Sequence, residues 1–227
     1  MNTKIHNELQ HIIKTSPQLL SDNKALQQAI NGVFNVSIPD ANSNDINQLV
    51  DQIDDAVLAN YFSDVWQPET KKYKYSGLSI IDEVNALNPG AVIDLGCGYN
   101  EFKGKIKNLT GIDPYNDCAD FKISTLDFTS DIKYDVTICL GSINFGSTDK
   151  IFAELEKAVS LTKGGGLLIF RVNPGVQHIA KESEWIDFYD WNPNFIMNVA
   201  SSLDCNVLQL RQDSNNRYYF VLEKNKQ

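Results

Sequence analysis

Positive charge is in short supply in this chain of 227 residues: 20 Lys and Arg stand against 29 Asp and Glu, a formal net charge of −9. A field of that sign repels a phosphate backbone, so bulk nucleic-acid binding is disfavoured as the main task. Two short basic runs, KKYK at 71–74 and KGKIK at 103–107, are the local exceptions. Cysteine is scarce as well. Cys97, Cys118, Cys139 and Cys205 are scattered, with no CxxC pair and no His at ligand spacing. That argues against a structural zinc site, and no metal is expected. No apolar run approaches the roughly 20 residues that cross a bilayer, and residues 1–14 lack the apolar stretch of a secretory leader. The expectation is a cytoplasmic protein with free, mostly buried thiols and no membrane partner.

What is present changes character near residue 70. The length allows one large domain, or one domain with a small appendage. Residues 1–70 read as a helical region. Segment 43–62 starts at a candidate cap, Ser43, and sets Ile46, Leu49, Val50, Ile53, Val57 and Tyr61 at helical spacing. Residues 3–14 and 17–34 are further helices. Another runs over 76–87 with Leu78, Ile81, Val84 and Leu87 inward, stopped by Asn88-Pro89-Gly90. From Ala91 on, short Val/Ile/Leu-rich runs alternate with helical stretches. Strands are expected at 91–96, 109–114, 121–128, 134–141, 165–173, 206–212 and 217–224, with helices at 101–107, 149–162 and 193–203. Such alternation predicts an α/β doubly wound, mostly parallel sheet of seven strands. The polar turn between the last two strands is too short for a parallel crossover, so the sheet ends in an antiparallel hairpin.

The stretch AVIDLGCGYNEF, Ala91 to Phe102, is the richest in chemistry. Gly96 and Gly98 let backbone approach a ligand at the carboxyl end of the first strand, where doubly wound sheets bind. A dinucleotide turn needs a third glycine at 101, where Glu101 stands, and Asp94 faces the same pocket; together they disfavour a pyrophosphate and favour a cationic ligand. Here the sequence resembles the class I (Rossmann-like) S-adenosylmethionine-dependent methyltransferases, over about Ser76 to Glu223. Asp94, Gly96 and Gly98 match the family's acid–x–Gly–x–Gly. Asn100 replaces a frequent third glycine, and Asn is the next residue most tolerant of positive φ. The resemblance implies S-adenosylmethionine as cofactor, bound by Asp94, Gly96, Cys97 and Gly98. It further implies Asp113 at the ribose hydroxyls, Asp127 and Phe128 at the adenine, and backbone of Leu140 and Gly141 beside the methionine.

Methyl transfer needs alignment and sometimes a base. The Asp/Asn-Pro-Pro-Tyr/Phe signature of amino-methylating enzymes is absent after the fourth strand, where LGSINF stands. Ser142 and Asn144 are candidates to orient an acceptor, Arg171 to grip an anion and His178 to act as base. Trp185, Phe188, Tyr189 and Trp191 either line an acceptor pocket or pack on the sheet. Residues 1–70, with Tyr73 and Tyr75, either close over the cofactor or form a partner surface such as a homodimer interface. The leading expectation is methyl transfer to a small molecule (EC 2.1.1 class). RNA or protein methylation, with Lys71, Lys72 and Lys74 as contacts, and a non-catalytic cofactor-binding module are the alternatives.

Overall fold

The computed structural model describes residues 1–39, 41, 45–66, 77–213 and 215–226. Ser43, Lys71, Lys72, Tyr73, Lys74 and Tyr75 therefore lie outside the described residues. By its internal contacts the chain divides into two units.

One unit joins Met1–Trp66 with Gln177–Phe188. Its helices are α1 (Thr3–Thr15), α2 (Asn23–Phe34) and α3 (Ile46–Asn60), each started by a side-chain cap: Asn2, Asp22 and Asp45 accept from the first free backbone N–H groups. Their apolar stripes bury Ile5 and Leu9, then Leu26, Ile30 and Phe34, then Leu49, Val50, Ile53 and Val57. A π-helical turn, Tyr61–Val65, follows α3. Segment 177–188 is fastened to these helices by polar contacts. Asn2 Nδ2 donates to Asp54 Oδ1 at 2.7 Å and to the Trp185 carbonyl at 2.8 Å. Lys4 Nζ reaches Gln177 Oε1 at 2.7 Å and the Ile186 carbonyl at 3.0 Å. The rings of Phe34 and Trp185 meet edge to face.

The other unit is the sheet. Helix α4 (Ile80–Ala86) leads to β1 (Val92–Leu95), β2 (Leu109–Ile112), β3 (Tyr134–Cys139), α5 (Thr148–Leu161), β4 (Thr162–Val172), α6 (Pro193–Ser202), β5 (Cys205–Gln212) and β6 (Tyr218–Lys224). The strand order is β2-β1-β3-β4-β6-β5. β2, β1, β3 and β4 run parallel, and β6 pairs antiparallel with both β4 and β5. Both faces are covered. Ile80 and Val84 of α4 pack with Val92, Val136, Ile138 and Ile169 on one side. On the other, Ile151, Leu155 and Ala158 of α5 and Ile196 and Val199 of α6 pack with Ile93, Leu95, Leu168 and Phe170. Leu87, expected in the inner stripe of its helix, is 48% exposed, and Ile80 takes the inward place.

Two expectations are corrected. The described sheet has six strands, not seven. Residues 121–128 contribute only one bridge, Ile112 with Phe121. Ser124 explains why: its hydroxyl donates to Asp127 Oδ2 at 2.6 Å and accepts from Asp127 N at 3.2 Å, a local turn that competes with a ladder. The edge of β2 is covered by other means. Asp120 Oδ2 accepts from Gly111 N at 2.8 Å, and Lys103 Nζ donates to the Leu109 carbonyl at 2.9 Å. The two side chains pair at 2.6 Å, beside a short backbone pairing in which Asp120 N and Phe121 N donate to the Gly111 carbonyl and Asp113 N donates to the Phe121 carbonyl. The second correction concerns 101–107, which forms tight turns instead of a helix.

Candidate functional site

The chain crosses from β2 to β3 over β1, so the winding reverses at the carboxyl ends of these strands. Such a switch point is where an open α/β sheet offers a crevice. Segment 95–100 leaves β1 there. Gly96 N and Cys97 N both donate to the Ile112 carbonyl, at 2.8 and 2.9 Å, which ties this turn to the end of β2. Gly96 has φ +72°, and a Cβ on it would stand 2.1 Å from Ser142 Cβ. Gly111, one strand over, is needed for another reason: a Cβ there would come within 2.6 Å of Asn100 Oδ1 and 2.9 Å of Cys97 Sγ. Asn100 itself has φ +54°, the left-handed conformation expected of it.

Asp94 lies in register with Gly111 and Ile138 and is only 3% exposed. Its carboxylate accepts no hydrogen bond from any described residue. Burial, with the charge of Asp113 adding, pushes its carboxyl up to about 7. Asp113 is also buried, but well satisfied: Oδ2 accepts from Gly98 N at 3.0 Å, and Oδ1 from Tyr115 N and Asn116 N at 2.9 Å each. The turn thus holds two acids close together, one with backbone donors and one without. The N–H that Gly98 offers is taken by Asp113 and is not a helix start open to an anion. Burial pushes the Cys97 thiol far up, with Asp94, Asp113 and Asp120 adding to the effect.

The end of β3 is tied to the same turn. Ser142 Oγ donates to the Leu95 carbonyl at 2.5 Å and contacts Cys139 Sγ at 3.1 Å, so its hydroxyl serves the framework. Leu140 is half-buried, and Gly141 has φ +116°. Asn144 is 5% exposed, with its amide on Gly141 O and Asn173 N. Glu154, on the inward face of α5, was not anticipated. Its Oε2 is buried without a hydrogen-bond partner, and burial pushes its carboxyl up to about 7. Burial takes the Cys139 thiol up to about 12, with Glu154 and Asp94 adding smaller upward contributions. The sequence did carry a signal for Glu154: an acid three residues after Ile151 and four before Ala158 sits inside an apolar stripe.

The remaining candidates have contacts of their own. Asp127 is exposed and bonded to Ser124. Phe128 is buried, with its ring 5.8 Å from that of Phe121, which is 53% exposed. Both rings line an open cavity of about 710 Å³ with Thr110, Lys122 and Tyr134. Arg171 Nε donates to Asp213 Oδ2 at 2.7 Å, at the turn that joins β5 to β6. His178 belongs to the helical unit, where its Nδ1 lies 2.8 Å from the Tyr61 hydroxyl and its ring 4.6 Å from that of Phe188. Trp191 is fully buried in the sheet's core, with Nε1 on the Ile143 carbonyl at 3.1 Å. The structure thus brings Asp94, Gly96, Cys97, Gly98, Asp113 and Ser142 together, and gives Arg171 and His178 partners of their own.

The sequence matches no protein-family model and no curated protein. Solved structures do match. A 1,6-didemethyltoxoflavin-N1-methyltransferase from Burkholderia thailandensis aligns with a TM-score of 0.59 at 13% identity, over 84% of this chain and 95% of its own. An S-adenosylmethionine-dependent methyltransferase from Clostridium acetobutylicum gives 0.50 at 14%, over 64% and 89%. The [4+2]-cyclase SpnF gives 0.51 at 12%, over 66% and 80%. The chain has the class I methyltransferase fold. At these identities the likeness is one of fold, and it extends over most of the chain. Among the described residues no helix is long and apolar enough to cross a membrane.

Proposed function

We propose that the chain binds S-adenosylmethionine and methylates a small-molecule acceptor. Asp94 carries this reading. An ionised carboxylate buried without a donor is costly, and a bound cation at its side removes the cost. A dinucleotide's pyrophosphate would worsen it. The sulfonium cofactor supplies an electrophilic methyl group, and the chain's own part is binding and alignment.

The residues present fit that cofactor in most respects. Asp94 would neutralise its cationic end, and Gly96, Cys97 and Gly98 form the adjoining backbone. A carboxylate has about four acceptor positions. Asp113 uses three on backbone N–H groups, which leaves Oδ2 one for a ribose hydroxyl. Asp127 keeps one oxygen beyond its bond to Ser124, available to an adenine amine, with Phe128 next to it. Leu140 and Gly141 would add backbone at the methionine end. A small-molecule acceptor agrees with the acidic charge and with the substrate named for the Burkholderia enzyme. Cytoplasmic residence agrees with the free cysteines.

A second reading keeps the cofactor and drops the transfer. It is favoured by the [4+2]-cyclase among the fold neighbours and by the Tyr61 partner of His178. Isothermal titration with S-adenosylmethionine and with its demethylated product tests the binding common to both; no heat at millimolar ligand sinks both. Asp113→Ala should weaken binding about tenfold, the loss of one charged hydrogen bond, and unchanged affinity refutes the ribose role. Transfer of labelled methyl groups to a small-molecule extract separates the two readings.

A further inference from the structure

The sheet face that carries α5 and α6 is not covered evenly. β3 reaches β4 through α5, and β4 reaches β5 through α6. The chain between β2 and β3, residues 113–133, forms turns and no helix. At the β2 edge, the face that a helix would otherwise bury is left to single side chains. The open cavity of about 710 Å³ lies there, lined by Thr110 of β2, Tyr134 at the start of β3, and Phe121, Phe128 and Ile132. Phe121 and Ile132 are 53% and 54% exposed, so two large apolar side chains are held at the surface beside it. The cavity is not the cofactor crevice. None of Asp94, Gly96, Gly98, Asp113, Asp127 and Gly141 lines it, and of the residues assigned to the cofactor only Phe128 borders it. Thr110 precedes Asp113 by three residues, about 10 Å along a strand, and Tyr134 precedes Leu140 by six, about 20 Å. The cavity thus belongs to the amino-terminal part of these strands, away from their carboxyl ends.

We propose that this cavity binds an uncharged, flat ring molecule that carries a hydroxyl or carbonyl group. Its volume is in the range of small-ligand pockets and suits two or three fused rings. Three aromatic side chains border it, and they favour a flat ring in stacked or edge contact. The charged residues that border it already have partners within the chain: Lys122 Nζ pairs with Asp117 at 2.6 Å, and Asp120 with Lys103 at 2.6 Å. An ion of either sign would therefore lose hydration against the rings without gaining an unpaired opposite charge. Hydroxyls supply the polar part. Thr110 and Thr129 both border the cavity, and neither side chain hydrogen-bonds another described residue. The Tyr134 hydroxyl is 3.4 Å from Ser130 Oγ, a long contact that leaves it able to serve a ligand. This binding rests neither on the cofactor nor on methyl transfer.

The test uses the full chain and three probes that share one ring system: 2-naphthol, which is neutral at pH 7, 2-naphthoate, and protonated 2-naphthylmethylamine. Ligand-observed NMR titration should find 2-naphthol bound about fivefold more tightly than either ion, or better. Phe121→Ser removes the exposed ring and keeps the backbone bridge to β2. It should weaken 2-naphthol by about fivefold. Ile132→Asn, at the other exposed apolar side chain, should weaken it as well, and it decides the matter if Phe121→Ser does not fold. Saturating S-adenosylhomocysteine should leave the affinity for 2-naphthol within about twofold. No binding of 2-naphthol at millimolar concentration, equal affinity for an ion, or indifference to both variants overturns the proposal. Displacement by S-adenosylhomocysteine would assign the cavity to the cofactor crevice and overturn it too. Light scattering covers the remaining alternative. A wild-type dimer that Phe121→Ser or Ile132→Asn turns into monomers would put a second copy of the chain over the cavity, against the proposal, and an unchanged mass supports it.

Discussion

Asp94 and Glu154 are acids whose carboxyls stand well above their ordinary values, from 3.8 and 4.5 to about 7 in both cases. Burial is the main cause in each. The folded chain therefore holds these two protons more tightly than the unfolded chain does. Their contribution to stability is complete below about pH 4 and is lost as pH rises through 7. Glu154→Gln cannot ionise, so denaturant titration should find it gaining on the wild type between pH 5.5 and pH 8, by on the order of 2 kcal/mol. An equal gap at both pH values would contradict the burial of a titrating Glu154. Gly96→Ala should cost about 2–4 kcal/mol, since it combines a positive φ with a collision on Ser142; thermal melts would show it. The glycines and Asn100 were legible in the sequence because their backbone demands are local. The burial of Glu154 depends on how α5 meets the sheet and was visible only as a polar break in an apolar stripe.

At the scale of elements, strong periodicity carried the reading. Helix α5, strand β4 and the closing hairpin fall within a few residues of their expected places. The apolar run at 121–128 did not form a strand: Phe121 alone bridges to β2, and beyond it Ser124 and Asp127 bond to each other. Lys103 and Asp120 cover more of that edge, with an ammonium on one carbonyl and a carboxylate on one amide. Asp120→Ala should uncover Gly111 N–H, cost about 1–3 kcal/mol, and promote edge-to-edge association. Light scattering at increasing concentration checks it, and a stable variant of unchanged mass would show that the ion pair is incidental. The basic run at 103–107 thereby gains a structural role, since Lys103 is one half of this clasp.

At the scale of the molecule, segment 177–188 is joined to the helices by residues more than 170 positions away in sequence. Nothing in local pattern announces such contacts, so segment 177–188 read as part of the sheet domain. Asn2 is fully buried and bonds to both Asp54 and the Trp185 carbonyl, which makes the first residues of the chain a clasp on this segment. Asn2→Ala should expose Lys181 to trypsin about tenfold faster, while the sheet unit stays resistant. Unchanged cleavage would mean that the clasp is redundant.

The central claim is that Asp94 is kept buried and unpaired in order to meet a cation. Asp94→Asn tests it most directly, with S-adenosylmethionine titration and denaturant unfolding measured on the same variant at pH 8. The expected result is affinity reduced at least thirtyfold together with a ligand-free protein at least as stable as the wild type. Retained affinity, or affinity lost only because the fold is lost, would contradict it.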